Sequence, residues 1–215
     1  MFKNLAFKAP SHVTAWERDY FKRGAAWRGT TNFDLNLPPQ SKVLEIGCGN
    51  GKNVSALARK GFELHAIDSS KSALKLCSDL LKRVEGKATL KLMDARRLEY
   101  ADEFFDAVFC FHVLGHLLEG ERRQAASEAV RVLRKGGTLF FRDFAEGDLR
   151  QGKGVKVEER TWRKGNGIIT HYFSLQEARN LFPELKQEEL RVEEWRVYYH
   201  ARPWLRREIH ARFVK

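Results

Sequence analysis

A strand-forming run, Val43-Leu44-Glu45-Ile46, breaks without a spacer into glycines at alternate positions, Gly47, Gly49 and Gly51. Glycine lacks a Cβ, so such a loop turns tightly, admits a ligand close to backbone N–H groups and leads directly into a helix. Glu45 inside the strand and Asp68 at the end of the next apolar run place two carboxylates beside that loop. Alone the glycines are a weak signal, because dinucleotide-binding turns are built in a related way.

Beyond the loop, short β-rich runs alternate with longer amphipathic stretches, the pattern of an open, mostly parallel sheet covered by helices. Strands are expected at Val43–Ile46, Glu63–Ile67, Thr89–Met93, Ala107–Phe111 and Thr138–Arg142. Helices are expected at 53–60, 71–84 and 121–133, the second with apolar Ala73, Leu74, Leu76, Cys77, Leu80 and Leu81. Val192–Tyr199 and Glu208–Val214, separated by Ala201-Arg202-Pro203, read as an antiparallel hairpin that finishes the sheet.

Pro38-Pro39 marks the one clear boundary, dividing an N-terminal helical segment, 1–39, from the main domain, 40–215. In that segment Trp16, Tyr20, Phe21 and Trp27 offer apolar surface among charged neighbours. Two readings stand side by side: a lid over a ligand, and ordinary packing of an amphipathic helix.

Lys and Arg number 39 against 28 Asp and Glu, a formal net charge of +11 over 215 residues. The excess lies at the ends, with ten basic and four acidic residues up to Lys60 and near balance from Gly61 to Phe141. A basic excess favours a polyanionic partner through counterion release, RNA above all, although a diffuse excess also simply aids solubility. The composition, the absence of a long apolar run and an N-terminus without a signal-peptide core predict a cytoplasmic protein with no membrane partner. Cys48, Cys77 and Cys110 form no CxxC pair, so buried free thiols are expected, with neither a disulfide framework nor a metal site.

The chain resembles the class I S-adenosylmethionine-dependent methyltransferases over about residues 41–142. Glu45, Gly47, Gly49 and Gly51 match the family's first motif, Asp68 the carboxylate that holds the ribose hydroxyls, and Asp94-Ala95 the pair facing the adenine. Phe105-Asp106-Ala107-Val108 matches the fourth-strand motif, and 132–139 the turn into strand five, with Lys135 where proline is usual. The resemblance implies S-adenosyl-L-methionine as cofactor, held by Glu45, Gly47, Gly49, Gly51, Asp68, Ser69, Asp94, Ala95 and Phe111. It also implies a Rossmann-like α/β fold with seven strands, the C-terminal pair antiparallel, and helices on both faces. The reaction such a fold serves needs alignment of a nucleophile more than elaborate catalysis.

Proton-handling candidates are Asp143, after strand five, and His112 and His116, after strand four, where this fold brings side chains near the ligand. A capping or surface role is the plain alternative for each histidine. Arg142, Tyr172, Arg202, Arg206 and Arg207 interleave basic and aromatic character and are candidates for gripping RNA, or else a core aromatic with a solvated basic face. The region after strand five resembles, more weakly, the tRNA cytosine-N3 methyltransferases, and Gly165–Ile168 with His171-Tyr172-Phe173-Ser174 the tellurite-resistance-type methyltransferases of small acceptors. A cytosine nitrogen, N4 or N3, of tRNA or rRNA is the expected target. Cys110-Phe111-His112-Val113 stands where amino-methyltransferases carry an Asn/Asp-Pro-Pro-aromatic step, and no cysteine is marked as a nucleophile for carbon methylation. A module that binds the cofactor without turnover is the reading outside enzymology.

Overall fold

The computed structural model describes residues 11–25, 35 and 37–215. Trp27, and with it part of the N-terminal segment, lies outside them. Among the described residues no helix is long and apolar enough to cross a membrane, and no cluster of His, Cys, Asp or Glu is arranged to hold a metal ion.

Seven strands form one sheet: β1 (Lys42–Ile46), β2 (Glu63–Asp68), β3 (Thr89–Leu92), β4 (Phe105–Phe111), β5 (Leu133–Phe144), β9 (Lys186–Tyr199) and β10 (Arg202–Val214). Their order across the sheet is β3-β2-β1-β4-β5-β10-β9. The first five pair in parallel, whereas β10 runs antiparallel to both β5 and β9. The fold is the one expected from the sequence. A separate three-stranded sheet, β6 (Val155–Glu158), β7 (Thr161–Arg163) and β8 (Ile169–His171), is inserted after β5. Its strands of three or four residues carry too little alternation to stand out in the sequence.

Period-two alternation along the central strands feeds two cores. Val43, Leu64, Ala66, Ala107 and Phe109 face α2 (Lys52–Leu57) and α3 (Lys71–Arg83), which contribute Val54, Leu57, Cys77 and Leu81. Leu44, Ile46, Val108, Cys110 and Phe141 face the other way, against Ala125, Ala126 and Ala129 of α4 (Glu119–Val132) and Ala178 of α5 (Leu175–Asn180). Small residues let α4 lie close on the sheet. Ser70 caps α3 by accepting the Ala73 N–H at 3.0 Å. Ser174 and Glu177 form a capping box on α5, a short helix not foreseen from periodicity.

Several boundaries move. The helix after the glycine loop ends at Leu57 and gives way to a tight turn over Ala58–Lys60. Strand five begins at Leu133, already paired with Phe105, and the C-terminal hairpin is longer than expected, starting at Lys186. Its turn is His200-Ala201, both at positive φ, so Arg202 and Pro203 belong to β10 and not to the connection. Positive φ at two successive positions is the geometry of a two-residue hairpin turn that matches strand twist.

The N-terminal helix, α1 (Ser11–Arg23), packs through Ala15, Trp16, Asp19 and Tyr20, an i, i+4 stripe. Phe21, expected on that face, lies one residue further round and is 81% exposed. Glu17 accepts hydrogen bonds from the Ser70 hydroxyl at 2.7 Å and the Ser72 hydroxyl at 2.6 Å, tying α1 to the start of α3. On its other side Ala15 lies against Gly167 in the β7–β8 turn.

Candidate active site

A cavity of about 400 Å³ opens at the C-terminal ends of β1, β2, β4 and β5, where the sheet order reverses direction, the usual ligand position of open α/β sheets. Trp16 and Tyr20 of α1 line one side of it. Glu45, Gly47, Gly49, Asp68, Ser69, Asp94, Ala95 and Phe111 all line it too, as the sequence suggested. Gly51 does not. It occupies the N-cap of α2 and shapes the loop from behind.

Gly47 sits at φ +70°, and a Cβ there would lie 2.1 Å from Val113 Cγ2. The loop it begins is stitched to β2: Cys48 N–H donates to the Ile67 carbonyl at 2.9 Å and Gly49 N–H to Asp68 Oδ2 at 2.8 Å. Asp68 also accepts the Ser70 N–H at 2.9 Å. Burial nevertheless outweighs those bonds and lifts its carboxyl to about 6. Glu45 accepts a bond from Asn53 Nδ2 at 2.9 Å, while its Oε2 is buried with no partner. Burial pushes this group to about 8. An orphaned buried acid oxygen beside a glycine loop that carries no side chains at Gly47 and Gly49 fits a ligand with a cationic group and a chain lying close to the backbone. Asp94 holds the backbone and Nε of Arg96 at 2.9 Å, and Arg96 continues to Glu121.

At the other end the wall is formed by His112, Arg142, Phe144, Trp195, Arg206 and Glu208. His112 has φ 54° and its ring tilts against Phe144, centroids 4.6 Å apart. It lies between two acids, Nδ1 3.9 Å from Asp143 Oδ1 and Nε2 3.7 Å from Glu208 Oε2. Asp143 itself is fully buried and does not reach the cavity. It accepts the N–H groups of Gly115 at 2.8 Å and Phe144 at 2.9 Å, and a Cβ on Gly115 would meet its Oδ1 at 2.6 Å. Burial opposes ionisation of Asp143, but His112 and His116 together with the Gly115 bond hold it below the ordinary carboxylate range. The expectation that Asp143 faces a substrate is therefore corrected: its carboxylate turns inward, behind the cavity-lining His112 and His116.

His116 lines the cavity with its Nδ1 2.6 Å from the Ile169 carbonyl and its ring edge-on to Trp16. Burial lowers its pKa, so the neutral ring donates from Nδ1. The three cysteines are free and buried. Cys48 is raised by its hydrogen bond with Cys77 and by burial, and Cys110 is raised by burial, which leaves neither as a thiolate near neutrality.

The proposed RNA-gripping residues separate. Arg142 lines the cavity, its guanidinium 4.8 Å from the Phe111 ring centroid. Arg206 lines it as well, with Nε donating to the buried Asp148 at 2.7 Å. Arg207 turns to the Glu146 carbonyl at 2.7 Å and pairs with Glu194. Arg202 is exposed at the hairpin end. Tyr172 is 1% exposed, edge-on to Trp162 and buried behind Phe144, so it belongs to the core and not to a binding surface. Trp195 and Glu208 were not among the expected site residues. Glu208 had a signal, as the lone acid in the run from Arg202 to Arg212.

Residues 44–141 match the model of a methyltransferase domain. The chain is 39% identical over 120 residues to the tRNA (carboxymethyluridine(34)-5-O)-methyltransferase of Arabidopsis thaliana, covering 55% of this chain and 28% of that protein. It is 25% identical over 170 residues to the tRNA N(3)-methylcytidine methyltransferase Mettl2 of Drosophila melanogaster, covering 73% and 52% respectively. The chain thus spans about half or less of the length of these curated relatives. The solved structure of a SAM-dependent methyltransferase from Methanosarcina mazei superposes with a TM-score of 0.68 at 25% identity, over 83% of this chain and 94% of that one. The chain therefore carries a methyltransferase domain, matched from its first strand to its fifth, is similar to the archaeal S-adenosylmethionine-dependent enzyme over nearly all of the latter's length, and takes S-adenosylmethionine as its cofactor.

Proposed function

We propose that the protein transfers a methyl group to RNA, at a cytosine nitrogen, N4 or N3, of tRNA or rRNA. The observation that carries this reading is the acceptor end of the cavity. Phe144 and Trp195 line it together with a carboxylate, Glu208, and an imidazole, His112, whose Nε2 stands 3.7 Å from Glu208 Oε2. Aromatic walls beside a hydrogen-bond acceptor and a proton acceptor suit a planar base with an exocyclic N–H group.

The cofactor, when bound, supplies an electrophilic methyl group. Asp68 would accept the ribose hydroxyls, the Gly47–Gly49 loop would lie along the methionine chain, and Asp94 with Ala95 would face the adenine. Glu45 would receive the amino group, whose positive charge would favour the acid's ionised form. At the acceptor end Glu208 accepts an N–H of the exocyclic amine and so orients the base. Where N4 attacks the methyl group, His112 takes up the proton that N4 loses; where N3 attacks, it uses its ring lone pair and no proton leaves that atom. Asp143 orients the ring and stabilises the imidazolium from behind, a positioning role. His116, committed to Ile169, serves as wall. Trp16 and Tyr20, on a helix acting as lid, exclude water.

The relatives that modify tRNA favour an RNA acceptor. A small planar acceptor is the second reading, favoured by the engagement of Arg206 and Arg207 with Asp148 and Glu194. Transfer of labelled methyl to total unmodified tRNA and rRNA, followed by nucleoside mass spectrometry, decides between them. A methylated cytidine is expected. No labelled RNA from protein that binds its cofactor would overturn the RNA reading.

A further inference from the structure

The C-terminal hairpin outruns the sheet that supports it. On the side toward β5, β10 is paired from Glu208 to Val214, and the chain after β5 supports it as far as Leu205, through Ala145 N–H to the Arg207 carbonyl, Asp148 accepting the Arg207 N–H, and Leu149 N–H to the Leu205 carbonyl. Arg202, Pro203 and Trp204 are paired with β9 alone. This end carries unusual surface. Trp195 is 39% exposed, Tyr198 67% and Trp204 46%.

Cross-strand register sorts these side chains. Trp195 pairs with Arg206, and Val197 with Trp204, so Trp195, Val197, Trp204, Arg202 and Arg206 share one face of the hairpin. Trp195 and Arg206 line the cavity, the guanidinium 5.1 Å from the Trp195 ring centroid. The cavity wall therefore continues outward as a strip, with Trp204 and Arg202 beyond its mouth. From Trp195 to Arg207 the sequence holds four arginines and no acidic residue. Arg202 is exposed and ion-pairs with no described residue, unlike Arg206 and Arg207.

We infer that this strip holds the RNA strand next to the target nucleotide, with a neighbouring base stacked on Trp204 and its phosphate on Arg202. Aromatic faces interleaved with arginines, in a run free of acids, are the surface that single-stranded nucleic acid recognises, because every base offers a π-face and every linkage a charge. A purely apolar partner would leave Arg202 without a counterpart. The inference rests on the RNA reading of the cavity.

The test compares full-length wild type with Trp204→Ala, Trp204→Phe and Arg202→Ala, measuring KM and kcat on unmodified tRNA across salt concentrations, with cofactor affinity by calorimetry. Loss of one stacked base raises KM for tRNA about tenfold. For Trp204→Ala that rise is expected with kcat and cofactor affinity unchanged, and Trp204→Phe restores most of it. Arg202→Ala reduces the salt slope by about one. If wild type methylates tRNA and neither alanine variant changes KM or the slope, the strip is not an RNA surface and the inference fails while the proposed function stands. If wild type neither binds nor methylates RNA, both fail. Conversion of a wild-type dimer to monomer by Trp204→Ala, with tRNA kinetics intact, would instead assign the strip to contact between copies of the chain and overturn the inference.

Discussion

Asp68 accepts the backbone N–H of Gly49 at 2.8 Å, so the acid that ends one strand clamps the loop that leaves its neighbour. The same carboxylate is exposed to the cavity. One group thus fixes the cradle and offers acceptor oxygens to what lies in it.

Replacing Asp68 removes both functions. Charged hydrogen bonds contribute roughly 1.5–3 kcal/mol each, so Asp68→Ala is expected to weaken S-adenosylmethionine binding by about a hundredfold in calorimetry. Asp68→Asn should fall between, because an amide keeps one acceptor oxygen and loses the other. Affinity near wild type in the alanine variant would remove Asp68 from the cofactor site.

The two buried acids make the cofactor-free protein sensitive to pH. Burial raises Asp68 to about 6 and Glu45 to about 8, so the folded state holds protons that the unfolded chain has released. Their stabilisation is complete below the ordinary carboxylate range and is lost as pH rises through 6 and then 8. The melting temperature without cofactor should therefore drop by several degrees from pH 5 to pH 8. Glu45→Gln should flatten the upper part of that decline, and saturating cofactor should oppose it. A melting temperature that rises over this range would contradict the assignment.

In the proposed mechanism His112 and Asp143 divide the handling of a proton between a group that faces the cavity and one that does not. General-base removal typically costs two to four orders of magnitude. His112→Ala should lower kcat by about a hundredfold or more while cofactor affinity stays within about twofold. Asp143→Asn should lower kcat less and shift its pH profile, since the ring keeps its place but loses the charge behind it. A profile identical to wild type, in a variant with reduced kcat, would make Asp143 purely structural.

Much of this site was legible because its signals are local. The glycine loop, Asp68 at a strand end and Asp94 after the next strand sit where backbone geometry alone puts them. What escaped depends on chain segments meeting across the fold. Asp143 faces inward because Gly115, from another loop, approaches closely enough to donate its N–H. Glu208 faces the cavity because β10 registers it opposite Phe144 of β5. Tyr172 misled because an aromatic flanked by basic residues looks the same whether it stacks on a ligand or fills a core. Phe21 differs from its neighbour Tyr20 by one residue of helix, about 100° of rotation, which is the difference between solvent and interior.

The placement of α1 also governs traffic. Glu17 anchors that helix beside Asp68, whereas Glu208 lies four strands away, roughly 19 Å across the sheet. If α1 acts as the proposed lid, exchange of the cofactor requires its Glu17 contacts with Ser70 and Ser72 to open, whereas an acceptor held by the hairpin wall is not bound by those contacts. Weakening them, as in Glu17→Gln, is then expected to speed cofactor exchange in stopped-flow measurements and to leave acceptor affinity unchanged.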